Sequence, residues 1–241
     1  MLIAENLKKI RFEVAEACGR AGRDPNEVVL IAVSKTKPSS QILEAIKAKQ
    51  FDFGENYVQE AIKKIAEITL VSREPARWHF IGSLQSNKVH QVVGAFSLIH
   101  SVDRLSLAQA ISKEAVKKNL IQDILIQINV ADEKTKAGVS LEMASQLFDE
   151  ILSLKNLSLR GLMCLPPMNG ESEKDQRQSF QALKSFAGEQ SKKLSPTQRS
   201  NFNILSMGTS HDFVAAILEG ATHIRIGTAI FGARENRNDS L

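Results

Sequence analysis

In Ala32-Val33-Ser34-Lys35-Thr36-Lys37, Lys35 stands at the end of an apolar run, and an amine at the end of a buried strand becomes nucleophilic when desolvation lowers its pKa. Val28 to Val33 is predicted to be that strand, since it is β-branched and too short to span a membrane. Alternation along it predicts Val29, Ile31, Val33 and Lys35 on one face. If that face lines a barrel or cleft, the amine can meet a ligand. If not, Lys35 emerges into water, as most lysines do.

Two other segments have the chemistry of an anion site. Ser206-Met207-Gly208-Thr209-Ser210-His211-Asp212 opens a helical stretch. Small hydroxyls and a glycine at a helix start suit a phosphate, because free backbone N–H groups point outward there. Ordinary N-capping by Ser210 accounts for the same residues. Gly227-Thr228 precedes a second short helical stretch, Ala229 to Ala233, and two such loops side by side favour a phosphate cup. Between them, His223, Arg225 and Gly227 share one strand face. An arginine pointing into a barrel is costly unless paired, so Arg225 is either an ion-pair partner or faces a ligand atom. Amine, phosphate cup and inward arginine together point to an aldehyde cofactor bearing a phosphate, pyridoxal 5′-phosphate (PLP). The other strand ends supply weaker signals. Asn56 and Asn87 suit helix caps, His79 suits a hydrogen-bonded core position, and Lys136 lies in the segment after Asn129.

Positioning these residues requires a repeating scaffold. Apolar runs near 28–33, 51–53, 78–81, 98–101, 124–130, 157–163, 202–206 and 222–226 alternate with helical patterns near 39–49, 56–68, 85–93, 104–118, 141–153, 173–192 and 210–219. A further helix is predicted over 3–18, where Ile3, Leu7, Ile10, Val14 and Ala17 recur at helical spacing. Eight strands separated by helices predict an α/β fold with a parallel sheet closed into a (β/α)8 barrel, a TIM barrel, as one domain over 1–241. An open doubly wound sheet would usually carry a glycine fingerprint after the first strand, and Ser34-Lys35-Thr36-Lys37-Pro38 stands there instead. Only Thr228 to Leu241 follow the eighth strand, so no second domain is expected.

Composition excludes more than it selects. With 241 residues, 43% hydrophobic and 24% charged, the chain is an ordinary globular one. The 31 basic against 27 acidic residues are dispersed, without basic clusters interleaved with aromatics, so nucleic acid is not an expected partner. Two cysteines, Cys18 and Cys164, lack metal-ligand spacing, and no metal is expected. No signal peptide or apolar run of membrane length is found, which predicts a cytoplasmic, reduced protein away from membranes.

The segments IAVSKTKP, FGENYVQE, WHFIGSLQSNK, LIQINV, GLM, LSMGTS and RIGTAIFGAR, in this order and spacing from about Val29 to Arg234, resemble the pyridoxal phosphate homeostasis protein family. These are single-domain relatives of the alanine racemase N-terminal barrel. The resemblance implies that Lys35 forms a Schiff base with PLP. It also implies that Ser206, Ser210, Gly227 and Thr228 surround the phosphate, and that Arg225 faces the pyridine nitrogen. Asn56 and Met207 are further implied pocket positions, and Lys37 and Lys136 match lysines near the pocket mouth. This chain departs from the family's usual SMGMS with Thr209 for the second methionine and His211 before Asp212, but keeps the hydroxyls and the glycine. Ser83 stands where proline or histidine is frequent.

Arginine is a donor only. Opposite the pyridine nitrogen, Arg225 would leave the ring unprotonated and a poor electron sink. If the strand continues, Lys37 shares the face of Lys35 and its charge favours a neutral amine. The resemblance also implies that related racemases take a second base, a tyrosine, from a C-terminal domain across a dimer interface, and the one tyrosine here is Tyr57. The expected function is therefore PLP homeostasis without robust catalysis, holding the cofactor on Lys35 for transient delivery to apo-PLP-dependent enzymes, with the chain a monomer. The alternative is a PLP-dependent amino-acid racemase of the same barrel type. A sugar-phosphate barrel enzyme using Lys35 rests on fold analogy alone.

Overall fold

The structure is a computed structural model that describes residues 2–130, 137–165 and 173–233. Eight parallel strands form one sheet: β1 (Val29–Val33), β2 (Asp52–Glu55), β3 (Arg77–Phe80), β4 (Leu98–Val102), β5 (Gln122–Asn129), β6 (Leu157–Cys164), β7 (Ile204–Ser206) and β8 (His223–Ile226). Each pairs with its neighbours in chain order, and β8 returns to pair with β1, so the sheet closes into a barrel. A two-residue strand, Val139–Ser140, adds to the upper end of β5.

Helices form the outer layer: α1 (Ile3–Arg20), α2 (Ser39–Lys47), α3 (Val58–Val71), α4 (Val89–Val92), α5 (Leu105–Lys117), α6 (Leu141–Leu152), α7 (Glu173–Ser191), α8 (Pro196–Asn201), α9 (Phe213–Leu218) and α10 (Thr228–Phe231). Helix α10 has only four residues and cannot cover the seam where β8 meets β1. α1 fills that place, packing against α2, α9 and α10 through its apolar stripe of Ile3, Leu7, Ile10, Val14 and Ala17. Asn6 fixes it by donating Nδ2 to the Ile230 carbonyl at 2.8 Å.

Strand alternation divides the buried residues into two populations. Outward-facing Phe53, Phe80, Ile99, Ile126, Ile224 and Ile226 join the helices in the main core. Leu98, Leu125 and Met163 form a separate apolar layer in the lumen. Polar side chains share the lumen with them, His79, His100, Ser206 and Arg225 all being buried. A register shift at Ile124/Leu125 marks a bulge against β6. There Gly161 has φ +150°, and a Cβ would lie 1.9 Å from the Ile204 carbonyl oxygen. Helix α8 was not anticipated, although Ser195, Pro196 and Gln198 form a complete capping box.

Candidate functional site

Lys35 lies at the C-terminal mouth of the barrel, but not on a strand. β1 ends at Val33, and Ser34 to Lys37 form a β-turn closed by Lys37 N–H to the Ser34 carbonyl at 3.0 Å. Thr36 has φ +63°, a left-handed conformation costly for a β-branched residue. The turn holds because α3 clamps it from outside. Lys64 Nζ donates to the Ser34 carbonyl (2.6 Å), Glu55 Oε1 (2.8 Å) and Glu60 Oε1 (2.6 Å). Ser34 Oγ donates to Glu55 Oε1 at 2.7 Å, and the Thr36 N–H to Glu60 Oε1. Lys64 and Glu55 are both buried, and burial pushes the Glu55 carboxyl up against the pull of Lys64 and Ser34. Lys35 is thus flanked on both sides by anchored peptides.

The shared face expected for Lys35 and Lys37 is corrected by this turn. Lys37 Nζ instead donates to the carbonyls of Phe231 (3.1 Å) and Ala233 (2.8 Å), tying the β1 loop to the end of α10. A cation at a helix C-terminus satisfies carbonyls that have no intrahelical partner.

The loop after β7 is shaped by Gly208, whose φ is +96° and where a Cβ would meet the Ala216 Cβ at 2.7 Å. Asp212 is the N-cap residue of α9 and accepts from the Thr209 N–H and hydroxyl. Ser210, considered for ordinary N-capping, does not stand at the cap position, and the Asp212 side chain that does makes no bond to the helix N–H groups, holding Thr209 in the loop instead. Ser210 is half-buried and Thr228 exposed, and neither hydroxyl has a side-chain partner among the described residues. Gly227 lies against Val33, a Cβ there approaching the Val33 carbonyl oxygen to 3.4 Å, so the loop after β8 borders the strand leading to Lys35. His211 is exposed, and Met207 is fully buried in the core.

Beneath this mouth, Arg225 reaches across the lumen. Its Nη1 donates to Ser206 Oγ at 2.6 Å and its Nη2 to the Cys164 carbonyl at 2.8 Å. Burial lowers the pKa of the guanidinium and pushes the Cys164 thiol up to about 12. Ser206, placed by its resemblance among the phosphate residues, is fully buried with its hydroxyl engaged by Arg225 and, at 2.9 Å, by His100 Nδ1. It supports the arginine from below.

Asn56 does not cap α3, since Tyr57 is the N-cap residue and caps with no side chain. Asn56 Oδ1 is buried without a hydrogen-bond partner among the described residues. Its backbone presses on Gly82, where a Cβ would lie 2.1 Å from the Asn56 carbonyl oxygen. Asn87 lies inside a 3-10 turn rather than at a cap, and Lys136 falls outside the described residues. His79 is the hydrogen-bonded core histidine expected.

Sequence reasoning missed Lys64, Glu55 and His100. Lys64 falls in the buried series Val58, Ala61, Lys64, Ile68 of α3, and a lysine at a core-facing position signals a buried ion pair. His100 shares strand parity with Leu98 and so points into the lumen.

Residues 6–235 match the family model described as alanine racemase, N-terminal domain. The chain is 42% identical over 233 residues to the pyridoxal phosphate homeostasis protein of Escherichia coli, covering 97% of both. It is 43% identical over 239 residues to that of Aquifex aeolicus, covering 98% of this chain and all of the other. PipY of Synechococcus elongatus, solved with PLP bound, superposes with a TM-score of 0.82 at 35% identity, over 95% of this chain and 100% of PipY. An alanine racemase from Corynebacterium glutamicum shares the fold at 12% identity, TM-score 0.68, with 99% of this chain covering 62% of it.

Proposed function

Because the chain belongs to the pyridoxal phosphate homeostasis family, within the alanine racemase N-terminal barrels, we propose that it binds PLP at the barrel mouth and serves PLP homeostasis. In this role it holds the cofactor reversibly on Lys35 and yields it to apo-enzymes. The observation that carries this reading is the convergence of three strand ends. Lys35 follows β1, the Gly208–Ser210 loop follows β7, and Arg225 with Gly227-Thr228 ends β8, adjacent to β1 in register.

The residues present fit the cofactor. Ser210 and Thr228 keep hydroxyls for a phosphate because Asp212 and Gly227 take the cap positions. Asn56 offers a buried acceptor that has no partner among the described residues. When bound, PLP supplies an aldehyde that condenses with a primary amine, releasing water. The chain's own residues do the rest. The clamp of Lys64, Glu55 and Glu60 fixes the backbone on either side of Lys35. Ser206 and the Cys164 carbonyl hold Arg225 as a donor that a ring nitrogen could meet. Arg225 stays cationic and offers no acceptor, so a ring nitrogen facing it would gain no proton and electron withdrawal through the ring would stay weak.

That is a holding site rather than a catalytic one. Racemisation needs bases on both faces of the substrate carbon, and removing one general base costs about 10²–10⁴-fold. The one tyrosine, Tyr57, is exposed at the start of α3. The test loads the protein with PLP, then follows transfer to an apo-aminotransferase and α-proton exchange of alanine in heavy water. Reactivation of the acceptor with negligible exchange supports the proposal; rapid exchange overturns it in favour of a racemase.

A further inference from the structure

A chain of buried hydrogen bonds crosses the lumen below Arg225. Asp52 Oδ1 meets His79 Nε2 at 3.1 Å, His79 Nδ1 meets His100 Nε2 at 3.1 Å, and His100 Nδ1 meets Ser206 Oγ at 2.9 Å. Arg225 Nη1 then donates to Ser206 at 2.6 Å. Five strands contribute (β2, β3, β4, β7 and β8), so the chain links the N-terminal end of β2 to the site at the mouth.

The proton positions are fixed from both ends. The Asp52 carboxylate only accepts. Arg77 holds it from outside, at 2.8 Å and 2.6 Å. Burial alone would raise its pKa, but the bonds and charges of Arg77 and His79 outweigh this and bring it down to about 2. His79 must therefore carry its proton on Nε2. At the other end, Arg225 only donates, so Ser206 accepts from it with one lone pair and has its own hydroxyl hydrogen to give to His100 Nδ1. Burial holds His100 neutral, well below the ordinary histidine range. Its single ring proton then lies on Nε2 and points to His79 Nδ1. Every donor in the chain points from Arg225 toward Asp52.

We propose that Asp52, His79 and His100 are positioning residues that act through Ser206 to orient Arg225 under the cofactor. The Asp52 carboxylate sets the direction of the whole chain. The link to the cofactor rests on the reading of Arg225 given above; the direction of the chain does not.

The test has two arms. In the cofactor-free protein, long-range ¹H–¹⁵N NMR of the histidine rings at neutral pH is expected to show His79 and His100 both as Nε2–H tautomers. In D52N the carboxamide can donate, and His100 is expected to lose that bias. A wild-type His100 protonated on Nδ1, or on both nitrogens, overturns the proposal. In the loaded protein, H100L leaves the Ser206 hydroxyl without an acceptor. It is expected to shift the pH profile of the visible absorbance band and weaken PLP binding about tenfold. H100Q, whose amide offers one donor and one acceptor, is expected to restore most of both. A purely structural role would lower the melting temperature and leave the band's pH profile unmoved, which contradicts the proposal. Failure of the wild type to bind PLP would overturn the cofactor site instead, and the ring-nitrogen measurement would still decide the direction of the chain.

Discussion

Lys64 Nζ lies 2.6 Å from the Ser34 carbonyl oxygen, so a buried lysine of α3 grips the peptide immediately before Lys35. Glu60 takes the Thr36 N–H on the other side. The left-handed Thr36 costs about 1–2 kcal/mol, which these charge-assisted bonds offset.

Removing the clamp's cation leaves two carboxylates behind, one of them fully buried. K64M is expected to lose about 3–5 kcal/mol, as for other broken buried pairs. E55Q/K64M is expected to lose less than the two single changes added together, by more than about 1 kcal/mol. Urea denaturation of the four proteins measures both numbers. Additive losses would show that the pair is not coupled.

Stability is expected to fall as the solution is acidified. Burial lowers His223 to about 3, and His100 is also held low. Between those values and about 6.5 the unfolded chain binds more protons than the folded one, so stability drops as pH falls. The slope approaches about 1.4 kcal/mol per pH unit for each histidine. Asp52 adds a later loss, since its folded value of about 2 is depressed and its contribution disappears as pH falls from the ordinary carboxylate range toward that value. Unfolding free energies measured from neutral pH to about pH 5 should decline, and H223Q should decline less steeply. A flat profile would contradict the buried neutral histidines.

Ser210 and Asp212 divide two roles that one serine could have filled. S210A is expected to change stability by less than about 0.5 kcal/mol and to weaken PLP binding about tenfold, the value of one hydrogen bond to a charged group. D212A is expected to lose about 1–3 kcal/mol of stability with the bonds that hold Thr209 in the loop. Thermal melts and PLP titrations of both variants separate the roles.

The sequence made the barrel and its lysine legible because strand alternation and helical periodicity are local signals. Val29 to Val33 and the stripe of α1 needed no tertiary information. The turn at Lys35 was not legible, because a left-handed threonine is imposed by α3 against its own preference. The partners of Ser206 were not legible either, since His100 is brought to it across the barrel by closure of the sheet. Lys64 left a trace, an amine in an apolar helical register, that local pattern alone would read as an exposed residue.

Glycine substitutions test the shape of the phosphate loop. G208A is expected to cost about 1–3 kcal/mol, because a side chain at φ +96° collides with Ala216, and to weaken PLP binding. G188A, in α7 with open space around it, is expected to stabilise by about 0.5–1 kcal/mol and leave binding unchanged. Equal effects of the two would contradict the loop's role.

Lys35 is the amine proposed to hold PLP, and borohydride reduction of the loaded protein, followed by peptide mass mapping, tests this most directly. A phosphopyridoxyl adduct on Lys35 is expected in the wild type, and in K35A neither that adduct nor the visible band. An adduct confined to another lysine, or an unchanged visible band in K35A, would contradict it.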